Sequence, residues 1–123
     1  MINKCKLVID KREFELSVYY ETYEDNKVLD EQVQLVNKFV DIKLGKEIVD
    51  KLSEYIISDD YNDLTSVDNV YKYIMPQYLY VPRDTKKDVI AIMCDYKFEV
   101  EHGLAIVFEK GKLKEIGTQD IIL

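Results

Sequence analysis

The chain contains no tryptophan, one histidine, two cysteines, two prolines and four glycines in 123 residues. Each scarcity closes off chemistry. So few glycines leave little for a phosphate-cradling loop, and no G-x-x-x-x-G-K-[ST], G-x-G-x-x-G, H-E-x-x-H or G-x-S-x-G occurs. Cys5 and Cys94 lie far apart, each in an apolar run and neither in a C-x-x-C pair, so zinc-knuckle and redox motifs are absent and buried reduced thiols are expected. A reactive Cys94 assisted by His102 would need a surface position, against which Ile92 and Met93 argue. No metal and no cofactor is expected.

Long hydrophobic runs are missing too. The longest, Val89 to Cys94, covers six residues, far short of the roughly 20 that span a bilayer. The opening MINKCKLVIDKREF has neither an apolar stretch of signal-peptide length nor a small-residue cleavage pattern. A cytoplasmic protein without membrane association is expected.

What is present suits one folded domain over residues 1–123: hydrophobic residues make up 47% and charged residues 33%. Twenty-four acids against 17 bases give a formal charge of -7, and the excess is concentrated. Leu52 to Tyr71 holds Glu54, Asp59, Asp60, Asp63 and Asp68 with no Lys or Arg, and a second cluster, Glu21, Glu24, Asp25, Asp30 and Glu31, has only Lys27 against it. Such density repels phosphate, so nucleic acid is not an expected ligand and a basic protein partner is the natural complement.

The periodicities predict an α+β domain: an antiparallel sheet of four to six strands with an N-terminal hairpin, and two to three helices packed on one face. Residues 4–10 and 13–21 read as strands joined by Asp10-Lys11-Arg12, with Phe14, Leu16, Val18 and Tyr20 alternating against Glu13, Glu15, Ser17, Tyr19 and Glu21. From Leu29 the spacing of Val33, Val36 and Val40 becomes helical, with Gly45 expected as its C-terminal cap. Ile48, Val49, Leu52, Tyr55 and Ile56 form a second stripe. Thr65 and Asp68 fit a capping box opening a third helix that Pro76 ends. Tyr78 to Val81, between Pro76 and Pro82, reads as an edge strand. Val89–Cys94 and Leu104–Phe108 read as central strands covered on both faces, and Glu109-Lys110-Gly111-Lys112 as a hairpin turn into Leu113–Ile116.

Two constellations invite a functional reading. The loop CDYKFEVEHG, residues 94–103, joins the central strands and carries the only histidine. His102 is a candidate metal ligand or general base with Asp95, Glu99 and Glu101, or makes a structural hydrogen bond; a metal site usually needs about three protein ligands, often with more than one histidine. Both roles stay open from sequence. SDDYND, 58–63, fails as a calcium loop because no glycine stands at the sixth place. The second constellation is tyrosine, ten residues of it, often beside acids. A rigid apolar ring with a polar tip suits interfaces, which makes Tyr19, Tyr23, Glu24, Asp25, Asp59, Asp60, Tyr61 and Asp63 the candidate contacts for a basic partner. A self-assembling module and a hydrolase centred on His102 are the alternatives.

The run Asp95 to Phe108, followed by Gly111 and Ile116-Gly117, resembles a family of small bacterial domains of unknown function. In that family an aromatic-acidic turn precedes a Glu-His-Gly motif, here Glu101-His102-Gly103, then a hydrophobic strand, a glycine turn and a closing Val/Ile-Gly. The resemblance covers about the last 30 residues specifically. Some such domains look like immunity proteins that neutralise toxins, which implies binding a cognate toxin and no catalytic residue.

Overall fold

A computed structural model describes residues 4–123; the first three residues of the stretch read for a leader lie outside it. Six strands form one sheet in sequence order: β1 (Lys4–Ile9), β2 (Arg12–Tyr20), β3 (Ile74–Val81), β4 (Val89–Tyr96), β5 (Leu104–Glu109) and β6 (Lys112–Gly117). Two helices, α1 (Asp30–Val40) and α2 (Lys46–Ser58), sit between β2 and β3 in the chain. The α+β class and the N-terminal hairpin agree with the sequence reading.

The sheet is mixed, which corrects the antiparallel expectation. Short turns make four of the five pairings antiparallel, but β2 and β3 run parallel, Ser17 opposite Tyr78 and Tyr20 opposite Val81. The cause is the connection. Residues 21–73, carrying both helices, bring the chain back over the sheet to restart in the same direction, as a long crossover allows and a tight turn does not. β3 is accordingly an interior strand. Pro76 is tolerated there because it stands at a register shift and because β2 pairs with β3 only from Tyr78 onward. The expected third helix does not form: Val70–Lys72 makes one 3₁₀ turn, capped by Asn69 accepting from the Tyr71 N–H at 3.1 Å. Gly45, expected to close α1, instead opens α2 with extended backbone, and Asp41 ends α1.

α2 touches both edge strands, β1 and β6. A 13-residue helix is about 20 Å long and six strands span about 24 Å, so α2 runs across the strands and the sheet curls around it. Between sheet and helices lies the main core, with Leu7, Leu16, Leu79, Ile92, Ile106 and Phe108 meeting Val36, Phe39, Leu52 and Ile56. Among the described residues, neither α1 nor α2 packs on the other sheet face.

One buried polar side chain fastens the crossover. Gln32 is fully buried; its amide donates to the carbonyls of Glu21, Val81 and Pro82 at 2.9, 3.2 and 3.2 Å, and its oxygen accepts from the Leu29 N–H at 2.9 Å. It thus satisfies the first turn of α1 and the ends of the two parallel strands together.

Candidate functional site

On the helix-free face, alternation in β2 to β6 sets up two rows across the strands. One runs Ser17, Tyr78, Met93, Ala105, Gly117; the other runs Tyr19, Tyr80, Ala91, Val107, Glu115. Tyr80, Ala91, Met93, Ala105 and Val107 form a second buried cluster, with Tyr78, Val89 and Ile122 packed against it. Small residues in the middle strands let the tyrosine rings lie over the sheet.

Tyr19 is the exposed member, at 57%. Its ring stacks on Tyr80 at 5.7 Å and 13° and meets Tyr78 edge-on at 6.5 Å. Tyr80 is locked in turn: its hydroxyl donates to Glu21 at 3.0 Å, and the other Glu21 oxygen accepts from the Arg83 N–H at 2.9 Å. Burial first, and then the Glu21 carboxylate, raise the Tyr80 phenol well above its ordinary value, so it remains a donor. Of the acids on this face, Glu21 lies two residues beyond Tyr19 and holds the Tyr80 hydroxyl, and among the described residues it is in no ion pair. Lys4 does pair with Glu15, at 3.9 Å.

The residues singled out from sequence fall in three places. Tyr19, Tyr23, Glu24 and Asp25 lie at the end of the sheet where β2 and β3 finish. There the Arg83 guanidinium covers the Tyr23 ring at 4.3 Å, and Asp25 accepts from the Lys27 N–H at 3.0 Å. Asp59, Asp60, Tyr61 and Asp63 follow α2, next to Tyr96, which pairs with Ile74 at the start of β3. The eight residues of β3 separate the two groups by about 23 Å, so the structure does not bring them together. Asp59 is turned inward: it accepts from the Tyr96 hydroxyl at 2.6 Å and the Tyr61 N–H at 3.0 Å. Burial and that carboxylate hold the Tyr96 phenol protonated.

Glu101, His102 and Gly103 form the third place, and their neighbours are specific. The exposed His102 ring meets Glu99 at 3.0 Å. Gly103 has φ +57°, and a Cβ there would stand 2.6 Å from the Gln119 amide nitrogen and 2.8 Å from the Cys94 carbonyl oxygen. The motif therefore admits Gln119, whose backbone N–H donates to the His102 carbonyl at 3.0 Å and whose side chain donates to the Cys94 carbonyl at 3.1 Å. Among the described residues no three His, Cys, Asp or Glu side chains are grouped to hold a metal ion. Cys94 is buried against the helices, and burial raises its thiol far above the range of a nucleophilic thiolate.

Tyr78, Tyr80 and Gln119 were not singled out from sequence. Tyr78-Leu79-Tyr80 does carry a signal, since tyrosines two apart on a strand share a face; Gln119 carries none, because its role depends on Gly103 sixteen residues earlier. An apolar cleft elsewhere, about 520 Å³ between α1 and the β5–β6 turn, has no buried polar side chain in its lining. Among the described residues no helix is long and apolar enough to cross a membrane.

Comparison with curated proteins and with solved structures finds no match. A family model described as Domain of unknown function (DUF6985) matches residues 2–123, nearly the whole length of the chain, and the chain belongs to that family.

Proposed function

We propose that the domain is a non-enzymatic binding protein of the cytoplasm, an immunity-type inhibitor that docks a basic toxin on the helix-free face of its sheet. The observation that carries the reading is Tyr19. A large aromatic ring stands exposed on a strand, held rigid by Tyr80 and Tyr78, with the Glu21 carboxylate, which is in no ion pair among the described residues, two residues along the same strand face. Immobilised tyrosine offers contact area at little further cost in side-chain entropy, and a carboxylate beside it attracts cationic side chains and speeds encounter. The net charge of -7 supports the same partner class. Tyr23, Glu24 and Asp25 extend this surface at the end of β2, whereas Asp60, Tyr61 and Asp63 lie at the far end of the sheet and outside it.

The test is co-expression with the product of an adjacent gene, where that product is basic, followed by titration calorimetry at low and moderate salt. Affinity should fall about tenfold on raising the salt, and Tyr19→Ala should cost about another tenfold. The reading is overturned by absence of binding, or by binding indifferent to both salt and Tyr19→Ala.

A further inference from the structure

Beyond Gly117 the chain turns onto the helix-free face. Gln119–Ile121 form one 3₁₀ turn. Ile121 lies on Gly117, where an added Cβ would stand 3.2 Å from its side chain, and Ile122 packs on the buried cluster formed by Tyr80, Ala91, Met93, Ala105 and Val107. Gly117 ends the row Tyr78, Met93, Ala105, Gly117, so residues 118–123 roof the β4–β5 side of the face while the tyrosines roof the β2–β3 side. The two roofs are built differently. The tyrosines belong to sheet strands. Residues 118–123 are attached through Gln119, whose two hydrogen bonds to His102 and Cys94 are, among the described residues, the segment's only ones to the rest of the molecule. The other bonds are internal: Thr118 hydroxyl to Asp120, Ile121 N–H to Thr118, Ile122 N–H to Gln119. Ile121 and Leu123 are exposed.

We propose that residues 118–123 are a strap, latched by Gln119 on the Glu101-His102-Gly103 turn, which opens while the sheet stays folded and bares Met93, Ala105 and Val107 as an apolar extension of the tyrosine face. A single short turn with two anchoring bonds belongs at the low-stability end of the molecule, and lifting it removes no strand from the ladder. The Glu-His-Gly motif then has a mechanical role: glycine at 103 admits the latch, and the His102 carbonyl receives it. The opening follows from the strap's own contacts; only its use, to enlarge the surface offered to a basic partner, rests on the docking reading.

Met93 and Cys94 are adjacent, both fully buried, and face opposite ways, Met93 beneath the strap side and Cys94 toward the helices. Their reactivities separate strap opening from unfolding without any partner. Met93 oxidation by dilute hydrogen peroxide is read by mass spectrometry, and Cys94 by a disulfide-exchange reagent. In the double variant Gln119→Ala, Ile122→Asp, Met93 oxidation should rise about tenfold while Cys94 labelling stays within about twofold. In the unaltered protein, about 1 M urea should speed Cys94 labelling and leave Met93 oxidation nearly unchanged, because local opening exposes less surface than unfolding. Met93 still protected in the double variant, or Met93 and Cys94 becoming reactive together in both experiments, overturns the strap. A toxin-binding failure would leave these rates untouched.

Discussion

Along β4 the side chains divide between two environments. Ile90, Ile92, Cys94 and Tyr96 face the helices; Val89, Ala91, Met93 and Asp95 face the other way. The central positions of both sets are fully buried, yet by different means. On the helix side, branched and aromatic residues fill the space between a curled sheet and two helices, as in the Phe39–Phe108 contact with ring centres 5.0 Å apart. On the open side, alanines and a methionine lie under tyrosine rings and one isoleucine of the strap. Equal burial therefore does not mean equal cooperativity. The first face loses its cover when the domain unfolds; the second is covered by parts that can change one at a time.

Truncation should break the symmetry most. Phe108→Ala removes a fully buried ring and leaves a cavity between sheet and α1, so urea unfolding should show a loss of about 3–5 kcal/mol. Tyr19→Ala on the opposite face should stay within about 1 kcal/mol, since the ring is already more than half exposed. Similar losses at the two sites would mean that the open face is part of the cooperative core.

The next effect lies where the two faces are joined. Gln32 fixes α1 to the ends of β2 and β3, which carry the tyrosines on one side and core residues on the other. Gln32→Leu preserves approximate volume but strips a donor from three carbonyls and the acceptor from the Leu29 N–H. A loss of about 1–3 kcal/mol is expected in the same urea experiment, smaller than that of Phe108→Ala. A neutral outcome would show that water replaces the amide, and that the crossover is held by apolar packing alone.

How much of this could be read from the chain follows from the range of each interaction. β2 announces itself because alternation is local: Phe14, Leu16 and Tyr20 inward, Glu13, Glu15 and Tyr19 outward. The parallel pairing does not, because it is fixed by how residues 21–73 pack, and no nearby residue encodes that. Pro76 misled for the same reason. It suggests an edge by its missing N–H, but the neighbouring strand begins two residues later. The acidic stretches were visible as charge, and their difference was not: Asp59 is taken by Tyr96, 37 residues away, while Glu21 is held by Tyr80, 59 residues away. Sequence reasoning located the Glu101-His102-Gly103 turn by composition and left its purpose open, since the purpose is Gln119.

The smallest effect concerns that turn, and it refines the contrast between a cooperative face and a removable one. Glu99 accepts a hydrogen bond from His102 and, as the leading cause, raises the imidazole above its ordinary 6.5; the nearby Glu101 and Asp120 act in the same sense. A group whose value is higher in the folded state contributes stability that is fully present below 6.5 and is lost as pH rises through the raised value. Because the ring is solvent-exposed and screened, the contribution is small. Glu99→Gln should therefore loosen the turn at about pH 5.5 and make little difference at about pH 8.5. The His102 carbonyl is one of the two acceptors of Gln119, so hydrogen exchange is the sensitive measurement. At the lower pH, amides of Gln119 and Ile121 should exchange faster in the variant, while those of Ile92 and Ile106, central in the sheet, stay unchanged. Uniform acceleration across both sets would place the turn within the cooperative unit and erase the distinction between the two faces at this point.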